Sequence, residues 1–152
     1  MTRIHADIDA LKELHHALVR FRCAQRDTVD QGDDRIEATR ASLEAKAGRW
    51  QSRLEQARAE LGACQFRAAQ AAAGEDRPVD CSGYAGAVSE AEERLERIRL
   101  WQYRVDQEAS EFRGIAIRFR NLLEIDLPRT EGHLLALIAS LDGARRVQAP
   151  GS

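Results

Sequence analysis

The chain is short of the residues that build sheets, tight turns and reactive sites. Of its 152 residues three are proline and one is methionine, and aromatic residues make up only 5%. Scarce proline leaves long stretches free to stay helical, and so few Trp, Tyr and Phe are a poor fit to a sheet-based enzyme. Neither sign of charge dominates: 23 Lys and Arg stand against 25 Asp and Glu, for a formal net charge of -2. The two signs are interleaved, so no basic block offers itself to a run of phosphates, and nucleic acid is not an expected partner. No stretch approaches the roughly 20 apolar residues that span a bilayer. The opening MTRIHADIDALKEL carries charges where a signal peptide needs its apolar run. The expectation is a soluble cytoplasmic protein, or one exported without a cleavable signal peptide.

Motifs with chemistry are missing as well. GxGxxG, GxxxxGK[ST] and GxSxG do not occur. His15 and His16 are adjacent, which on a helix points them about 100° apart, whereas ligands to one ion need three- or four-residue spacing. His5 and His133 approach only if the terminal helices meet. Paired Glu-x-x-His motifs on facing helices, the mark of a di-iron bundle, are not found. Carboxylates such as Glu90 and Glu93 are followed by Arg94 and Arg97 at helical spacing, which makes surface ion pairs and not acid and base sets. Cys23, Cys64 and Cys81 form an odd set without CxxC spacing, and the expectation is three reduced, structural thiols. No catalytic residue, cofactor, metal or small-molecule substrate is predicted, and the chain reads as a non-enzyme.

What is present is helix former in quantity. Ala, Arg, Glu, Leu and Gln lose little freedom in a helix, and 32% charged residues supply solvated faces. Three breaks divide the chain. Gly32, within Asp30-Gln31-Gly32-Asp33-Asp34, reads as the end of one helix, and Asp34, three residues before Glu37, as the cap of the next. The segment GEDRPVDCSG from Gly74 to Gly83 is the strongest loop signal. Pro128, after Asp126-Leu127, fits the first turn of a new helix. These breaks predict helices over about 7–30, 34–73, 84–126 and 129–146 in one domain, 1–146, followed by a flexible tail, 147–152.

Apolar spacing says how the helices pack. Ile8, Leu11, His15 and Leu18, then Leu43, Ala47, Trp50, Leu54, Ala57, Leu61, Cys64, Ala68 and Ala71, step by alternating three and four. So do Val88, Ala91, Leu95, Ile98, Gln102, Val105, Ala109, Phe112, Ala116, Phe119 and Leu123. Such seams belong to helices packed lengthwise. Two of them across one tight loop predict a long antiparallel helical hairpin, a coiled coil with arms of roughly 60 Å. Gly32 and Pro128 fall at the same end of it. From there the first and fourth helices, the latter with His133, Leu134, Leu137, Ile138 and Leu141 on one face, would fold back and make the base a four-helix bundle. The competing pattern carries the seam through Val29, Gly32, Ile36 and Thr39 as one uninterrupted helix. Trp101, Phe112, Ile115 and Phe119 form a second apolar face for the extra helices. Leu100, Tyr103 and Ile117 fall off both faces, and with Trp101 they are the candidate partner interface.

The opening IHADIDALKELHHALVRF, Ile4 to Phe21, resembles the first helix of WXG-superfamily proteins, small helical hairpins handled by type VII secretion and related systems. The stretch from Phe112 to Ala144, with FRNLLEIDLPRTEGHLLALIASL, is similar to the second arm of divergent members. The Trp-x-Gly turn is not there: Trp50 is followed by Gln51 and Ser52, and Trp101 by Gln102 and Tyr103. The resemblance implies a non-enzymatic, dimer-forming secretion substrate, adaptor or toxin-associated module with a protein partner. The alternative is a cytoplasmic coiled-coil scaffold or chaperone-like subunit.

Overall fold

Helix α1 runs unbroken over Thr2–Ala73, α2 over Ser82–Asn121 and α3 over Leu127–Gln148, with a π-helical turn at Leu122–Asp126 between the last two. These elements come from a computed structural model, which describes residues 2–75 and 77–148. Helix accounts for 95% of the described residues, and no strand occurs among them. The fold is therefore all-α. Of the expected tail, Val147 and Gln148 belong to α3, and residues 149–152 lie outside the described residues.

The chain divides into two compact units. One combines the residues up to Asp34 with those from Glu111 onward, and the other is Arg35–Ser110. In the second unit Leu54, Ala91 and Leu95 form a buried cluster with Trp50 and Val88 packed against it. Ala57, Cys64, Ile98 and Ala109 are buried along the same seams. Partner numbers fall on one helix as they rise on the other: Arg40 meets Asp106 at 3.0 Å, Arg58 meets Glu92 at 3.4 Å, and Cys64 meets Cys81. The first unit repeats the trend, with Arg145 at 3.3 Å from His5, Arg22 on Glu131, and Arg26 at 3.8 Å from Glu124. Its buried apolar residues are Ile8, Val29, Ala116 and Leu123.

The expected break at Gly32 does not occur, and the reason lies in the first unit. A Cβ placed on Gly32 would come within 2.7 Å of the tip of the Phe112 ring. The glycine is a seat for an aromatic ring and not a stop signal. Asp34, read as a cap, lies within the helix, and two of the acids beside Gly32 are engaged by Arg120, which bonds Asp33 and reaches Asp30 at 3.5 Å. Ring packing and charge neutralisation together outweigh the roughly 1 kcal/mol that a mid-helix glycine costs. The reversal on which the four-helix base depended is absent, and the uninterrupted helix is the pattern found.

Pro128 falls in the first turn of α3, where its place in the sequence put it, but a π turn and not a loop joins α2 to α3. Before it the Leu127 N–H donates to the Leu122 carbonyl, the five-residue step of a π turn. The wider turn gives the proline ring room against the preceding turn and needs no N–H from it. It also absorbs an extra residue. The inward positions Phe119, Leu123, Leu127 and Glu131 step by four three times before the alternation resumes at Leu134, Ile138 and Leu141. A π turn takes up that surplus and keeps the stripe facing inward.

The loop between α1 and α2 falls where Gly74 to Gly83 predicted it. Asp80 caps the first turn of α2 by accepting the Ser82 N–H at 2.9 Å. The three reduced thiols are corrected here: Cys64 and Cys81 form a disulfide with a Cα separation of 5.8 Å, and Cys23 alone is free and exposed. The loop returns Cys81 to the level of Cys64, within the distance a disulfide needs.

Candidate interaction surfaces

The predicted interface residues are all solvent-facing, from 54% exposed at Leu100 to 60% at Tyr103. They do not belong to one unit. Leu100, Trp101 and Tyr103 lie in the unit Arg35–Ser110, and Ile117 lies in the other. Trp101 borders a groove of about 610 Å³ with Ile36, Thr39, Val105 and Ala109, rimmed by Arg35, Arg104 and Glu108. Arg104 lies 5.5 Å from the centre of its ring. The Tyr103 hydroxyl accepts from the Gln107 amide at 2.7 Å, a bond along the helix surface that leaves the ring open. Trp50, in a similar local sequence, instead packs on the buried cluster, flanked by Arg53 at 4.7 Å and Arg94 at 5.2 Å.

The second apolar face divides in the same way. Phe112 and Phe119 are half-buried within the first unit, whereas Ile115 is 63% exposed because no folded-back helix covers it. Sequence reasoning missed Leu14 and Phe21 on α1 and Ile125 and Leu135 beyond Ile117, all exposed, and it placed His133 and Leu137 on the packing face of the last helix, where both are exposed. For Leu14 and Phe21 the signal is a spacing of seven residues, two helical turns, beside the main seam, which is easily hidden when the seam already explains the helix.

Among the described residues several charged side chains are held in structural pairs. Glu131 is buried, and it accepts two bonds from the Arg22 guanidinium at 2.9 and 3.3 Å. That hydrogen bond holds the Arg22 pKa above its ordinary value, as the bond to Asp33 does for Arg120. Asp80 is shifted below the ordinary carboxylate range by the Ser82 backbone N–H. Each shift favours the charged form, whereas a general acid or base needs a group able to change state near neutrality. Glu90 and Arg94 form the expected surface pair at 3.9 Å. Glu13 and His16 stand three apart on α1, but among the described residues no group of three His, Cys, Asp or Glu gathers as a metal site. Among the same residues no helix is long and apolar enough to cross a membrane.

The sequence matches no family model, and comparison with curated proteins and with solved structures likewise yields no match.

Proposed function

We propose that the chain is a non-enzymatic helical protein–protein interaction module, a WXG-like secretion substrate, adaptor or toxin-associated protein. One observation carries this reading: large apolar side chains stand exposed along helices in both units, among them Leu100, Trp101, Tyr103, Ile115 and Ile117. Single exposed apolar residues are ordinary, but rows of them on helices are what a partner helix or groove covers. The finer architecture belongs to the same proposal. Within each unit the two helical segments run in opposite directions as an antiparallel pair, which the falling partner numbers support. The Cys64–Cys81 bridge favours an exported protein over a cytoplasmic scaffold, since disulfides persist where the surroundings are oxidising.

Two experiments test the two parts. A photo-crosslinking amino acid at Leu100, Tyr103 or Ile117, introduced in the producing cell, is expected to give a discrete protein adduct. The same probe at exposed Glu93 is expected to give none. No adduct at any of the three positions would reject the interaction reading. Co-expression with a type VII-like ATPase is expected to place the chain in the medium, and retention while a control substrate leaves would remove the secretion part.

A further inference from the structure

Within the unit that begins the chain, α1 carries an apolar stripe that the seam does not use. Ala10, Leu14, Ala17, Phe21 and Ala24 follow one another by four, three, four and three residues, the spacing of the seam itself, yet all five are exposed. Leu14 and Phe21 are 48% and 46% exposed. At 1.5 Å per residue they mark a line of about 21 Å along the helix. The order of sizes is small, large, small, large, small, and it reads the same from either end with Ala17 at the centre. Charge follows that symmetry to within one residue, Glu13 and Arg20 being centred just before Ala17, and Leu14 and Phe21 just after it. Glu13 and Arg20 immediately precede Leu14 and Phe21, lie along one edge of the stripe, and are exposed.

A surface that is its own complement under reversal fits a two-fold contact, in which residue i of one copy meets j of the other and j meets i. We propose that two copies of this chain associate through the stripe, α1 against α1 in opposite directions about Ala17. Leu14 then meets Phe21 of the second copy, Ala10 meets Ala24, and Glu13 faces Arg20, each twice. The alanines at the centre and ends let the helices approach closely, and the larger side chains fill the space between them. A stripe serving an unrelated protein needs no such palindrome in either size or charge. This inference rests on the interaction reading above and names one partner for it.

The test uses the full chain with its disulfide intact and Cys23→Ser as background. Ala17→Cys places two thiols at the axis and is expected to give a covalent dimer under mild oxidation. Leu14→Cys alone is expected to stay uncrosslinked, because its two copies are offset by six residues, about 9 Å of rise, more than a disulfide spans. Mixing Leu14→Cys with Phe21→Cys is expected to give the mixed dimer. By sedimentation equilibrium, Glu13→Arg is expected to weaken association roughly tenfold, and adding Arg20→Glu to restore it. Unchanged circular dichroism shows that these surface variants fold. A chain monomeric to millimolar concentration, Leu14→Cys crosslinking as readily as Ala17→Cys, or no effect of Glu13→Arg would each overturn the proposal. Adducts at Leu100, Tyr103 or Ile117 would still stand in that event, so the two readings fail separately.

Discussion

Gly32 shows how a residue's meaning depends on what faces it. By itself the residue weakens a helix, and alanine in its place should improve propensity by about 0.8 to 1 kcal/mol. Opposite Phe112 the sign reverses, because the added Cβ would meet the ring at 2.7 Å. Gly32→Leu is expected to destabilise by about 1 to 3 kcal/mol in chemical denaturation, as overpacking does. In a Phe112→Ala background the same substitution should lose most of that penalty. Asp80 gives a second test at this scale. Its pKa is lowered by the Ser82 N–H, so its contribution to the cap is complete above the ordinary aspartate value of about 3.9 and is lost as pH falls through the depressed folded-state value. The Ser82 amide resonance should therefore titrate with a midpoint below that of a free aspartate. Asp80→Asn should abolish the titration while keeping a side-chain oxygen for the cap.

At the scale of elements, the seams and the loop from Gly74 to Gly83 were legible, and the continuity of α1 through Gly32 was not. Ile8, Leu54, Ala57, Cys64, Ala91, Leu95, Ile98, Ala109, Ala116 and Leu123 are all buried, and all stand at positions the three-and-four spacing picks out. Burial along a helix is a property of local periodicity, which one sequence displays in full. Whether Gly32 and Pro128 interrupt a helix depends instead on Phe112, Arg120 and the π turn, contacts made by residues distant in sequence or by a surplus residue in the stripe. Glu131 was hidden for the same reason: a carboxylate at an inward position makes sense only once Arg22 stands beside it. The disulfide required knowing that the loop sets Cys81 level with Cys64. Closing a loop with a sequence separation of 17 restricts the unfolded chain. Replacing both cysteines by alanine is expected to cost about 3 kcal/mol of unfolding free energy, measured by denaturant titration against the oxidised protein. A thiol assay on that oxidised protein, unfolded, should find only Cys23.

For the whole molecule, the class of fold was readable from composition, and the use of its surface only in part. Abundant helix formers with little proline predicted an all-α chain, and far-UV circular dichroism of the purified protein is expected to show almost pure helix, in line with 95% among the described residues. Leu100, Trp101, Tyr103 and Ile117 stood out because they fall off the seams, but their division between two units could not be seen from spacing. The palindrome in α1 was also present in the letters, and it gained meaning only when the five positions proved to be uncovered.

The bridge between Cys64 and Cys81 has one more effect. Every peptide bond between those residues is bypassed by a second covalent route, so the backbone there can be cut without the chain coming apart. Val79 and Asp80 lie in that interval, outside either helix and exposed. A protease that cuts before aspartate, acting at the bond between them, would leave a nicked molecule that migrates as one species in a denaturing gel and parts into two fragments only when a reductant is added.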